Sequence, residues 1–505
     1  MNNNKRLFAK NSITGVVQKI LIAILTFVTI PVFIRLLGME SFGIFATISV
    51  LGDLSRLTNV GFHIALIKFL SLQGRTQESS YDILVGFTSM LLIMVVVSSL
   101  LIFFNNYIIL NIFNISVENF TESRVLYNYL VLANAFLFIG MPLSAVLESQ
   151  KMIYKVNYLQ LVYSFFYWGA MLIVLALGYD LRTVGLVAFL AALVWFILTL
   201  ILARMAWGPL KYGGLLPNYL KSVKKQLGYG VKVYFSGLLA LFLEPLTKIL
   251  VANFFGVAFV GFIDIGLRIK NQLSRIIRTA LWPLFQHFAE LTDKKEIARI
   301  VNELQEKLTL LIIVLNVILI FSAKSLVTLW IGEDVEIITM TLVVITVCAL
   351  MRHIFEPNNL YLGVHRPTSL VLIQILMIIF NLLPIYFLHK LLGYQVVYMG
   401  FILSTLVYFI VNFYLQKRFL EKLIFEKTKD LVKVFVLTGI LLFTGYTLNF
   451  IIQNKPWLDL FSTPLILGVL AFLLIRNLSL ITKKDIDIYL DDYRISKKVK
   501  KLFIN

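Results

Sequence analysis

The sequence predicts an all-α polytopic membrane protein of about fourteen transmembrane helices, in two pseudo-symmetric six-helix lobes followed by two C-terminal helices. Three observations carry that expectation. Hydrophobic residues fill 59% of the 505 positions and charged residues 14%, too apolar a mixture for a surface facing water. Apolar runs of roughly 18 to 25 residues recur along the whole chain, each long enough to cross about 30 Å of hydrocarbon as a helix. Lys and Arg crowd into alternate connectors, the pattern left by chains that keep their positive loops in the cytoplasm.

The first lobe, residues 1–205, is expected to hold spans at 12–36, 42–69, 82–104, 125–148, 155–177 and 183–205. Its opening run is too long for a signal-peptide core and has no small-residue cleavage site, so it reads as a retained span. Residues 206–226 form a basic connector. The second lobe, 227–418, is expected to hold spans at 227–253, 257–285, 300–327, 338–361, 368–390 and 395–416. Residues 419–480 add spans at 431–452 and 460–477, and a basic tail, 481–505, ends the chain. In that tail Ile486, Leu490 and Tyr493 precede Lys497, Lys498, Lys500 and Lys501, which suits either a helix on anionic lipid or topology-setting charge alone.

An even number of crossings puts both termini on one side. Connectors of that side carry groups such as Lys68 with Arg75, Lys151 with Lys155, Lys221 with Lys224 and Lys225, and Lys294 with Lys295. The opposite side has only Arg35, Arg124, Arg182, Lys324, Lys390 and Lys455. A multi-pass protein of the plasma (inner) membrane with cytoplasmic termini is therefore expected. Trp330 and Trp457 fall at outer ends of spans, where indole rings favour the bilayer interface.

Several function classes are excluded. The formal charge of +19 is spread over short connectors and not gathered on one amphipathic face, so no nucleic-acid partner is expected. A single cysteine, Cys348, inside an apolar run leaves no disulfide, redox pair or thiolate metal site within one chain. No HExxH or glycine-rich phosphate loop occurs in any connector, no DxD occurs in a connector between spans, and the longest outer connector is 105–123. No enzyme, metal or cofactor is expected, and function is expected to lie inside the helical bundle.

The sequence also repeats. Gly38-Met-Glu-Ser-Phe-Gly43 is echoed by Gly256-Val-Ala-Phe-Val-Gly261, an offset of 218 residues. Pro142 with Leu147 and Lys151 is echoed by Pro357 with Leu362 and Arg366, an offset of 215. Two matches at nearly one offset argue for duplication, and six intervening spans make the copies parallel, with a cavity expected between them. Spans 13 and 14 fall outside the repeat. Pro142, Pro245 and Pro357 are candidates for bends.

Ionisable residues inside spans are expensive and mark wet cavities or partners. In the eighth span Asp264, Arg268, Asn271, Arg275 and Arg278 follow one another at intervals of four, three, four and three, which sets all five on one helical face. Three arginines on one face form a track for phosphate, because the planar guanidinium fork binds phosphate oxygens in pairs. In the second span Asp53, Arg56 and His63 share a face, and in the tenth Arg352, His353 and Glu356 precede Pro357. Local ion pairs are the plainer alternative: Asp53 with Arg56, Asp264 with Arg268, Glu244 with Lys248 and Arg352 with Glu356 all have helical spacing. Arg278 has the further alternative of snorkelling to the headgroups, and His63 and His353 that of packed rather than titrating residues.

Twelve duplicated spans plus two, the Gly38–Phe45 turn with its Gly256 echo, and basic residues in the second and eighth spans resemble the multidrug/oligosaccharidyl-lipid/polysaccharide (MOP) exporter superfamily. The likeness covers about residues 8–480 and is nearest to the Wzx-type polysaccharide and O-antigen flippase branch, which serves lipopolysaccharide and other surface polysaccharides. The resemblance implies a polyprenyl-pyrophosphate-linked oligosaccharide as partner, moved from the inner to the outer leaflet by alternating access in a cationic cavity. It carries the family's central arginines onto Arg56 and Arg268, with Arg275, Arg278 and Arg352 joining them as candidate pyrophosphate-binding residues. Asp53, Asp264 and Glu244 are the candidate carboxylates for coupling to H+ or Na+. Rival readings are a multidrug or cation antiporter of the same superfamily, a lipid II flippase, and a membrane polysaccharide polymerase; a stripe of arginines repels cationic cargo.

Overall fold

The computed structural model describes residues 2–55, 62–211, 219–228, 242–281, 288, 293–332, 336–421, 428–452, 455–478 and 480, with the backbone alone for 2–13, 16, 53–55, 279–280, 367 and 428–430. Its described residues are helical with short turns and fall into two compact units. One comprises the described parts of 1–264 and 382–397, the other those of 265–381 and 398–505.

In the first unit α1 (Asn2–Ile48) is two helices joined at Gly38, whose φ of 84° and ψ of 166° no helix contains. After α2 (Val50–Ser55), α3 (Phe62–Gln73) and α4 (Gln77–Phe103) come α5 (Phe120–Ser149), which runs unbroken through Pro142, then α6 (Ile153–Ser164), α7 (Ala170–Ala176) and α8 (Leu181–Trp207). Side chains start two of them where the first turn has orphan amides: Thr76 accepts from the Ser79 amide at α4, and Asp180 from the Thr183 amide at α8. Beyond a helical stretch at 219–228, α9 (Leu243–Phe255) ends at Gly256, and α10 (Val257–Leu281) follows at once. Gly256 repeats the conformation of Gly38, with φ 96° and ψ 164°, so the two sequence echoes are the same backbone turn.

Small residues let these helices approach closely, the usual solution where lipid removes the hydrophobic drive for association. At Gly140 of α5 an added Cβ would stand 2.4 Å from Trp195 Cζ3 of α8. Gly140→Ala is expected to lower stability by about 1–3 kcal/mol, because the buried indole must shift to admit one methyl group; thermal unfolding of the purified protein in detergent checks this.

The second unit is built on α11 (Lys294–Ile331), 38 residues and about 57 Å long, started by Asp293 and ended by left-handed Gly332. After it come α12 (Glu336–Arg352), a single 3₁₀ turn (His353–Phe355), α13 (Glu356–His365), α14 (Pro367–Leu392) and α15 (Gln395–Leu420). Residues 382–397, where α14 ends and α15 begins, group with the first unit. Gln305 of α11 and Gln416 of α15 exchange two side-chain hydrogen bonds of 2.9 and 2.8 Å, and Gln416 also donates to Asn302. The added pair, α16 (Thr428–Ile451) and α17 (Pro456–Asn477), docks on α11. There Asp459 accepts from Ser325 and Thr463 at 2.5 Å each, and Gly445 lies flat on the Phe321 ring.

Eleven helices among the described residues are long and apolar enough to cross a membrane, and they agree with the all-helical fold expected. The three expected spans missing from that count are the second, seventh and eighth. The eighth is present as α10 but carries too many charges to pass as apolar, and the other two are described only in part. The second does not run as one helix: α1 ends at Ile48, Ser49 forms a turn, and α2 begins at Val50. Trp457 is 65% exposed, as an interfacial indole should be, whereas Trp330 is 6% exposed because the end of α11 packs against α12.

Candidate functional site

The charged face expected on the eighth span lies on the single helix α10, where Arg268 is half-buried and Arg275 and Arg278 are exposed. From Arg278 to Arg268 the helix rises about 15 Å, half the thickness of the hydrocarbon. A second source of positive charge comes from the break between α12 and α13. Pro357 has no amide to donate and sits at the start of α13, so α12 stops at Arg352 and the 3₁₀ turn carries His353 around the bend.

Tyr408 of α15 joins these elements within the second unit. Its hydroxyl donates to the Arg352 carbonyl at 2.9 Å and accepts from Asn359 Nδ2 at 2.5 Å. Arg278, Arg352 and Glu356 all lie near enough to act on that hydroxyl electrostatically. Two arginines from different spans, Arg278 and Arg352, thus share one neighbourhood around a buried tyrosine. Arg352 Nε donates to the Cys348 carbonyl at 3.2 Å, which fixes the start of its guanidinium along α12. Glu356 Oε2 is 3.1 Å from Nδ1 of the buried His353.

In the first unit the carboxylate of Asp264 is held by Lys248 of α9, Nζ to Oδ1 2.6 Å, with both side chains buried. This pair crosses between two helices 16 residues apart in sequence, a partnership that helical spacing does not reveal. Its charges neutralise each other in place, and removal of either would leave the other uncompensated. Glu244, half-buried in the first turn of α9, is one turn before Lys248. His63 of α3 places Nδ1 3.0 Å from the Met141 carbonyl and Nε2 3.5 Å from Glu148. Arg56 lies outside the described residues, as does the side chain of Asp53.

Sequence reading passed over one buried ionic cluster. Asp82, fully buried in α4, accepts from Lys225 at 2.5 Å, from Ser222, and through its carbonyl from Gln226 at 2.9 Å. Glu78 reaches the same ammonium at 3.0 Å, and that ammonium lies 4.6 Å from the Phe69 ring centre. Glu78 with Asp82 and Lys221 with Lys225 both keep helical spacing, the one signal that was available.

Comparison with known proteins adds the following. A family model described as "Polysaccharide biosynthesis protein" matches residues 8–289, more than half of the chain. No curated protein matches. Among solved structures the fold is similar to that of the lipid II flippase MurJ in an inward closed conformation, with TM-score 0.66 and 14% identity over 96% of this chain and 100% of that one. It is also similar to the MATE multidrug transporter DinF-BH in complex with R6G, with TM-score 0.58 and 14% identity over 82% and 95% of the two chains. A third is a multidrug resistance MATE family transporter of the MOP superfamily in an inward-facing conformation, with TM-score 0.56 and 14% identity over 81% and 98%. At such identities the likeness is one of fold, and it bears out the superfamily architecture expected from the sequence.

Proposed function

Because the chain belongs to the polysaccharide biosynthesis protein family, we propose that it is a flippase carrying an undecaprenyl-pyrophosphate-linked oligosaccharide from the inner to the outer leaflet, for surface polysaccharide assembly. The observation that carries this reading is the arginine track of α10, with Arg278 and Arg352 both within electrostatic reach of the Tyr408 hydroxyl. Pyrophosphate is dianionic or more, and guanidinium forks hold it through paired, charge-assisted hydrogen bonds. The exposed Arg275 and Arg278 stand at the end of α10 that leads into the basic connector with Lys294 and Lys295, so they meet the headgroup first. Arg268 receives it about 15 Å deeper. The polyprenyl tail stays in lipid while the glycan crosses beside the helix, and alternating access completes the transfer.

The Lys248–Asp264 pair supplies a means of coupling. When Asp264 takes up H+, or Na+ screens it, Lys248 loses its counter-charge, so occupancy of the carboxylate changes the charge of this buried pair. Glu244 and Asp53 are the alternative coupling carboxylates. In this reading the protein is a multi-pass inner-membrane transporter with cytoplasmic termini and no catalytic chemistry. A lipid II cargo would use the same arginines, since the two lipids share the pyrophosphate.

The test is flipping of a fluorescent polyprenyl-pyrophosphate-linked sugar in proteoliposomes at matched protein levels. Arg268→Ala and Arg275→Ala are each expected to slow it about tenfold or more, the worth of one charged hydrogen bond, while Arg268→Lys keeps the charge and loses less. Wild-type rates in both alanine variants would remove the track from the mechanism. No glycolipid transport at all, with uptake of a lipophilic cation instead, would make the chain a multidrug antiporter.

A further inference from the structure

A cleft of about 620 Å³ opens on the second unit between the start of α14 and the end of α15, apart from the arginine track of α10. Its mouth is cationic. Arg366 and Arg418 both place their guanidinium carbons over the Phe419 ring, at 5.2 and 5.7 Å from its centre. Arg418 also lies 6.0 Å from the Tyr414 ring and donates to its hydroxyl at 3.4 Å. Among the described residues neither arginine pairs with a carboxylate, and both are exposed. Two like charges gathered on one ring repel unless an anion joins them.

Below the mouth the cleft is aliphatic. Leu372 and Leu376 of α14 face Ile410 and Val411 of α15. From Arg366 to Leu376, and from Arg418 down to Ile410, the helices advance about 12–15 Å, the depth of one leaflet of the hydrocarbon. A charged mouth over an apolar slot one leaflet deep matches one kind of molecule, an anionic lipid with its headgroup at the interface and a chain along the helices. Basic recesses between transmembrane helices are a recurrent form of headgroup site.

We propose that this cleft is a binding site for an anionic glycerophospholipid of the surrounding bilayer, with Arg366 and Arg418 on the lipid phosphate, Ser369 at the rim, and one acyl chain between α14 and α15. Bilayer lipid is favoured over free phosphate because the cleft continues far below the charges. It is favoured over the transported glycolipid because the cleft is open on the outer surface of its unit, two of its own lining side chains, Leu372 and Tyr414, being exposed.

The full-length protein is reconstituted in nanodiscs of phosphatidylcholine with and without phosphatidylglycerol, then extracted and its retained lipids identified by native mass spectrometry. Wild type is expected to keep phosphatidylglycerol in preference to phosphatidylcholine. The exposed pair Arg366→Gln with Arg418→Gln is expected to lower that preference about tenfold or more. Leu376→Trp, which fills the slot and leaves both arginines, is expected to lower retention as well, and inorganic phosphate is expected not to displace the lipid. Equal retention of the two lipids by wild type would overturn the proposal. So would retention unaffected by Leu376→Trp or competed by phosphate, which would mark a surface anion site, or a polyprenyl phosphate as the species retained.

Discussion

Asp82→Ala is expected to destabilise the protein by about 3–5 kcal/mol, the range for breaking a buried ion pair from one side. The carboxylate is fully buried and accepts from Lys225 and Ser222, so its loss takes an acceptor from both, while Gln226 keeps the backbone carbonyl and Lys225 keeps Glu78. Lys225 is 21% exposed and can turn part of its charge to water, which places Asp82→Ala toward the lower end. Lys225→Met takes the opposite side of the pair and leaves the carboxylate, which has no route to solvent, with neutral donors alone; its expected loss is the larger of the two. Replacing both, as Asp82→Ala with Lys225→Met, removes the stranded charge and is expected to recover part of the deficit. Denaturant unfolding of the four proteins in detergent gives the cycle, and simple additivity would show that the two groups act independently.

That cluster also changes the meaning of the basic connector. The stretch 219–228 is helical, and Lys225, Ser222 and Gln226 fasten it to α4 while Tyr219 shares a 2.7 Å hydrogen bond with Thr88. Arg75 donates to the Ala206 carbonyl at 2.7 Å, and the Lys211 amide to Ser80 at 3.0 Å. A segment that composition presents as topology-setting charge is, within the first unit, part of the packed fold.

The helical architecture was legible because hydropathy and alternating charge are properties of single segments, and each segment of a membrane protein must satisfy its own backbone. The arginine face of α10 was legible for the same reason, since residues four and three apart on one helix share a face wherever it packs. Partnerships across helices were not. Helical spacing offered Arg268 to Asp264 and Glu244 to Lys248, and the fold joins Lys248 to Asp264. Asp82 and Asp459 each stand at the edge of an apolar run, where a carboxylate reads as the end of a span. In the fold each is buried and hydrogen-bonded to a neighbouring element. That Arg278 and Arg352 both act on Tyr408, on a third helix, is likewise a relation that no single segment carries.

Gly43→Ala is the second large effect, expected to exceed about 3 kcal/mol, above the usual penalty for one added methyl group. An added Cβ at Gly43 would stand 1.9 Å from the Val257 carbonyl oxygen, 2.6 Å from its carbon and 3.1 Å from Ala258 Cα. All three are backbone atoms of the turn that begins α10, so no rotamer change relieves the overlap and the helices must part. At Gly261, the echo of Gly43 in the repeat, the nearest atoms are Met39 Sδ at 3.0 Å and Phe42 Cδ1 at 3.2 Å, with Gly43 Cα at 3.5 Å. A methionine side chain yields readily, so Gly261→Ala is expected to cost about 1 kcal/mol. Gly38→Ala meets no atom within 4 Å but must hold φ at 84° with ψ at 166°, a region essentially confined to glycine, at a conformational penalty of about 1–3 kcal/mol. The duplication therefore left the two second glycines crossing each other unequally, one against backbone and one against side chains. Thermal unfolding of the three variants should rank Gly43→Ala well below the other two. Equal losses at Gly43 and Gly261 would mean that the crossing relaxes as a whole, and that the close approach of Gly43 to Val257 does not limit the packing of α1 on α10.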